Sequence, residues 1–179
     1  MTKENKELEF IGKEIKQAIE ILEKRETLNN QAIDELDKQL SATKYGSVGH
    51  VNKITRLSSL RNYMLRLKEV IEVYKQITDY KSVETVESYI VKIIEDTKAS
   101  LKASSTALDT AEIFSNDYVK NEILFKTYKE LSDLYDETLE TLKKIKEGAR
   151  ADAEVPSEQM PYNPAEEVPS KKVDKRENV

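Results

Sequence analysis

The chain has no cysteine and no tryptophan, and 179 residues hold a single histidine, four prolines and four glycines. Without cysteine it can form neither disulfides nor thiolate metal sites. With His50 alone, every mechanism that needs two imidazoles is excluded. That covers the di-iron chemistry of helical bundles, which requires Glu-x-x-His on two helices; the residue three before His50 is Ser47. There is no phosphate-binding loop, because the glycine spacing it requires is missing. The nearest string to a serine-hydrolase elbow, Gly46 to Gly49, lacks the pattern and a flanking strand. The expectation is therefore no catalytic residue, no cofactor, no metal site and no enzyme activity. Long apolar runs are missing as well. Nothing approaches the ~20 residues that cross a bilayer, and the first residues are polar, unlike the apolar core of a signal peptide. This predicts a soluble protein without membrane contact, cytoplasmic or within a virion or comparable particle, and not secreted by a signal peptide.

The helix breakers that do occur are unevenly placed. Pro156, Pro161, Pro164 and Pro169 all fall in the last quarter, and the residues before them include only Gly12, Gly46, Gly49 and Gly148. Proline removes a backbone donor and clashes with the preceding turn, so its confinement to one end divides the chain. Residues 1–148 read as a helical bundle and 149–179 as an extended or disordered arm, largely non-helical and with little to bury. Charged residues make up 35% of the chain and hydrophobic ones 38%. The apolar share is thin enough that long helices with a narrow seam suit it better than a wide core.

The apolar spacing supports four such helices. Leu8, Ile11, Ile15, Ala18, Ile19 and Leu22, then Ala32, Ile33, Leu36 and Leu40, recur at steps of three and four and lie on one stripe. They predict a first helix from about Lys3 to Lys44. Arg25 and Asn29 fall on its seam, so the helix either bends there or uses a buried polar group to fix register; a continuous helix is the preferred reading. Two glycines between Lys44 and His50 mark a turn, with Ser47 as N-cap. The second helix carries Ile54, Leu57, Leu60, Met64, Leu67, Ile71 and Tyr74 and ends near Asp79, where Ser82 caps the third. That helix has Val83, Val86, Ile90, Ile93 and Ile94, then a small-residue stretch from Lys98 to Ser105 suited to close approach. Phe114 to Asp117 is the last junction. The fourth helix has the cleanest seam, Leu124, Tyr128, Leu131, Tyr135, Thr138, Leu142 and Ile145. Gly148 follows lysines 143, 144 and 146, where a C-cap glycine belongs. The fold class expected is all-α, an elongated antiparallel bundle of about four long helices with a C-terminal arm. The rival is a set of hairpins that complete their cores only in an oligomer.

Charge is segregated. From Lys38 to Lys68 there is no acid, while Lys38, Lys44, Lys53, Arg56, Arg61, Arg66 and Lys68 supply seven positive charges; against a net charge of -5, the remainder is near minus 12. These cations either pair with acids inside the bundle, such as Glu130, Asp133, Asp136, Glu137 and Glu140 on the fourth helix, or meet a partner. Pairing is the preferred reading because Lys53, Arg61 and Lys68 flank the apolar stripe. In the arm, Met160 to Pro164 is an apolar and aromatic island of the kind that docks as a peptide. The candidate contact residues are Lys44, Tyr45, His50, Lys53, Arg56, Arg61, Met160 and Tyr162. Together these observations predict a non-catalytic helical structural or adaptor protein of a large multisubunit assembly, a virion or comparable particle. It would contact protein partners, including copies of itself, through the bundle surface and the arm. The alternative is a nucleic-acid-associated protein using residues 38–68, whose phosphate contacts would weaken with salt.

Overall fold

A computed structural model of the chain describes residues 2–113 and 115–154. Four helices account for nearly all of them: α1 (Lys3–Ser41), α2 (Val48–Lys75), α3 (Tyr80–Thr110) and α4 (Asn116–Glu154). Among the described residues there is no strand. The all-α bundle expected from the spacing is what forms. Of the arm expected from 149, residues 149–154 belong to α4 instead, and the rest, with Met160 and Tyr162, lies outside the described residues.

The ends of the helices follow from local chemistry. Gly46 takes φ of 74°, a left-handed turn open to glycine without strain, just after α1. Ser47 then caps α2 by accepting from the His50 amide at 3.2 Å. At the next turn Asp79, not Ser82, is the N-cap. Its carboxylate accepts from the Ser82 amide at 2.7 Å, and the Ser82 hydroxyl accepts from the Asp79 amide, so the two satisfy each other's free donors. Ser115 caps α4 through the Tyr118 amide at 3.0 Å. α1 is continuous through Asn29, about 58 Å long at 1.5 Å per residue.

The expected C-cap at Gly148 does not occur, since α4 runs on to Glu154. Gly148 is instead a site of close approach. A Cβ there would clash with the edge of the Phe10 ring of α1, 2.7 Å from Cε1 and nearer still to Cζ. The turn beyond it is held by tertiary contacts: Ala149 is fully buried, and the Arg150 guanidinium lies 5.3 Å from the centre of the Tyr80 ring. A glycine after a lysine run resembles a helix end, but packing across the bundle keeps the helix going.

Cross-helix pairs fix the directions. Asp37 meets Arg61 and Glu26 meets Lys68, so α1 and α2 are antiparallel. Glu87 with Lys146 and Lys98 with Asp136 make α3 and α4 antiparallel, and Phe10 against Gly148 together with Arg25 on Glu137 does the same for α1 and α4. α2 and α4 run parallel, through Ser59 with Glu130 and Tyr74 with Thr138. α4 is the hub: it packs on all three other helices, whereas α1 and α3 barely touch. The most extensive pairing is α3 on α4, with Thr97 and, within the small-residue stretch, Ser104 buried.

The apolar core is concentrated in one half of the rod. Its members are drawn from Ile11 to Leu22 of α1, Tyr63 to Tyr74 of α2 with Ile77 just beyond it, Val83 to Ile94 of α3 and Leu131 to Ala149 of α4. Leu67, Val83 and Leu142 are completely buried, each worth about 1.5–3 kcal/mol of transfer free energy. The other half, towards the α1–α2 and α3–α4 turns, is thinner. Leu36 and Leu57 are its buried aliphatics; the remaining buried groups there are Thr55, Ser59, Thr97, Ser104 and Thr127. Ile54, expected in the α2 seam, and Leu8, expected in that of α1, both stand exposed.

Candidate interaction surface at the loop end

The α1–α2 turn (42–47) and the α3–α4 turn (111–115) meet at one end of the rod, the loop end. The sequence candidates Lys44, Tyr45, His50 and Lys53 are gathered here. Lys44 is exposed, and Tyr45 is 88% exposed. The Tyr45 ring meets that of His50 edge-on, with centroids 5.1 Å apart. His50 is half-buried, and its Nδ1 is buried without a hydrogen-bond partner. Lys53 reaches back to the α1–α2 turn and donates to the Thr43 hydroxyl at 3.1 Å.

Arg56 and Arg61 belong elsewhere. Arg61 is held at 2.7 Å by Asp37 of α1. Arg56 sits close enough to α4 for its charge to act on Glu130. Further along the basic run, Lys68 pairs with Glu26 at 3.4 Å and Arg66 with Glu69 at 2.7 Å. The cations are therefore partly spent inside the bundle. Their acid partners come mainly from α1 and from α2 itself, where the fourth helix was expected to supply them. α4 directs its acids to other bases: Glu137 to Arg25, Asp136 to Lys98 and Glu140 to Lys144.

Apolar groups stand around this end without cover. Tyr45, Val48 and Ile113 are each more than 60% exposed, and Ile54 is 37% exposed. Between the first turns of α2 and α4 lie two open grooves. One, of about 270 Å³, is lined by Gly46, Val48, Val51, Asn52, Tyr118, Val119 and Glu122. The other, of about 360 Å³, is lined by Val51, Ile54, Asn116, Val119, Lys120, Ile123 and Leu124. Val51 and Val119 border both. The grooves were not foreseen, because apolar residues at helical spacing read as seam; an excess of them in the first turns of both helices was the available signal.

Midway along the rod, Arg25 and Asn29 border a polar cleft of about 270 Å³ with Tyr63, Glu130, Asp133 and Glu137, floored by Leu60 and Leu134. Arg25 donates to Glu137 at 2.7 Å and to the Tyr63 hydroxyl at 3.4 Å. Burial alone would lower its pKa, but the hydrogen bonds to Tyr63 and Glu137 more than offset this and hold it above the usual guanidinium value. Burial pushes the Tyr63 phenol up, against the opposing effect of Arg25. Burial also raises the Glu130 carboxyl, although Ser59 donates to it at 3.2 Å and Arg56 favours its charge. The seam polarity noted in the sequence thus serves, through Arg25, as an interhelical clamp in a continuous helix.

Among the described residues no group of three or more His, Asp or Glu side chains is placed to hold a metal ion, and no helix is long and apolar enough to cross a membrane. No protein-family model matches the chain, and comparison with curated proteins and with solved structures likewise finds no match.

Proposed function

We propose that the protein is a non-catalytic helical structural or adaptor component of a larger protein assembly, a virion or comparable particle, and that the loop end of its bundle is a contact surface. The observation that carries this reading is the exposure of Tyr45, Val48, Ile54 and Ile113 at the loop end, with Val48 and Ile54 lining two open grooves there. Exposed apolar surface gathered at one place marks sites where proteins meet. The nucleic-acid alternative has less support. Arg61, Arg66 and Lys68 would first have to leave their ion pairs, each worth about 0.2–1 kcal/mol.

The test is the solution mass of the full chain by light scattering, beside a triple variant, Tyr45→Ser, Val48→Ser and Ile113→Ser. All three positions are exposed, so the fold should be spared. A mass above that of one chain, falling in the variant, supports the reading. Association that the triple variant leaves unchanged would remove the loop end from it.

A further inference from the structure

Resting on that reading and making it specific, we propose that the two grooves between the first turns of α2 and α4 receive the segment around Met160, Pro161 and Tyr162 of a second copy of this chain. The residues beyond Glu154 point to this occupant. Residues 155–179 contain one place where large apolar groups cluster, Met160 and Tyr162 on either side of Pro161, with Pro164 two residues on. The prolines limit the freedom such a segment loses on docking. The grooves offer complementary chemistry, with Val51, Ile54, Val119, Ile123 and Leu124 for apolar side chains and Asn52 and Asn116 for polar atoms. Their size is near the lower end of pockets that hold ligand-sized groups, ~300–1,000 Å³.

Charge gives the same direction. From 155 to 169 the chain has Glu158, Glu166 and Glu167 and no lysine or arginine. Lys120 lines one groove, and the α2 side, including Lys44 and Lys53, lies in the run from 38 to 68 that has no acid. Carboxylates stand at this end too: Asp117 in the first turn of α4, Glu122 lining one groove, and Glu112 in the α3–α4 turn. Glu122 is already paired with Lys126 at 2.7 Å.

Chain length decides between the same copy and another. Tyr162 follows Glu154 by eight residues, which span at most ~28 Å fully extended. Val119 lies about 35 residues back along α4, or ~52 Å at the helical rise. The segment cannot reach the grooves of its own bundle. It can reach those of a neighbour whose loop end abuts the far end of this rod. Such a contact joins unlike surfaces, head to tail, and propagates into a ring or a filament.

Two full-length variants test this: an arm variant, Met160→Ser with Tyr162→Ser, and a groove variant, Val119→Glu. Lys120→Glu, at an exposed position, is the second groove variant and replaces Val119→Glu if that loses helical circular dichroism. Light scattering should give wild type a mass above one chain, rising with concentration, and each variant the 20.6 kDa of a single chain. An equimolar mixture of arm and groove variants should then rise towards twice that mass and stop. Each pair has one intact groove and one intact arm, so it can form one contact and no more. A single-chain mass for wild type overturns the inference, as does a mixture that stays monomeric. Wild-type association lost in the Tyr45, Val48 and Ile113 variant but kept in the arm variant overturns it too, while leaving the broader assembly reading in place.

Discussion

Gly148 and Phe10 form a pair that neither residue announces alone. In a helix interior, glycine costs about 0.8–1 kcal/mol relative to alanine, so Gly148→Ala should stabilise if the site were open. It is occupied by the Phe10 ring, and overfilling a packed contact costs about 1–3 kcal/mol. Gly148→Ala is therefore expected to destabilise the wild type, yet stabilise a Phe10→Ala background by about 0.5–1 kcal/mol. Urea denaturation of the four proteins reads the coupling, and additive effects would deny the contact. Glu130 offers a second single-residue prediction. Its pKa is raised mainly by burial, so the folded state holds its proton more tightly than the unfolded state. Stability from this group is then highest at low pH and falls as pH rises from about 4.3, its ordinary value, through the raised one. Glu130→Gln should raise the urea midpoint at pH 7, the gain in unfolding free energy being less than ~1 kcal/mol because the residue still reaches water. The gain should vanish near pH 4. An equal midpoint at pH 7 would contradict the assigned cause.

At the scale of the element, α3 depends on the reciprocal box of Asp79 and Ser82. The Asp79 carboxyl is held below its ordinary value, first by the Ser82 backbone amide and then by its side chain. A lowered carboxyl contributes stability that is complete above its unfolded pKa and is lost as pH falls through the folded value. Asp79→Asn can still accept the Ser82 amide, so it should keep the helix start while flattening the decline of thermal stability below about pH 4. Asp79→Ala should lower stability at neutral pH as well. If Asn and wild type decline together in acid, Asp79 is not the group responsible. All four helices were legible because apolar steps of three and four encode a stripe wherever they occur, and Ser47 was readable as a cap. The far end of α4 was not: Gly148 is decided by a ring on α1, more than a hundred residues away in sequence. Nor could a pattern within one helix place α4 at the hub, since a stripe says which face is buried and not against how many neighbours. The same limit hid the grooves. Val119, Ile123 and Leu124 continue the fourth-helix pattern, and only the arrangement of α2 beside them leaves that stripe uncovered. The turn from Lys44 to His50 was visible because glycine there has a local cause.

For the whole molecule, the rod is two halves of different cohesion. Residues of the core cluster all lie in the half away from the loop end, whereas the loop half is closed by threonines, serines and a few aliphatics. Two of the buried polar atoms without a partner, His50 Nδ1 and Thr55 Oγ1, are also there, and each such group costs about 1–3 kcal/mol. Local opening needs less free energy where fewer apolar contacts must be broken. Native-state hydrogen exchange should therefore be graded along every helix. Amides of 11–22, 63–74, 83–94 and 131–149 should exchange only with global unfolding, at about 5–15 kcal/mol. Those of 30–41, 50–58, 98–110 and 118–128 should open at several kcal/mol less. Each helix crosses both halves, so the boundary must fall within helices and not between them. Uniform protection along each helix would mean that the loop half is as cohesive as the other. In a graded rod, cover supplied by a neighbour would complete the weaker half, and its protection should rise with protein concentration if the chain associates through that end. Protection that rises instead in 63–74 and 131–149 would place the contact on the well-packed half and away from the grooves.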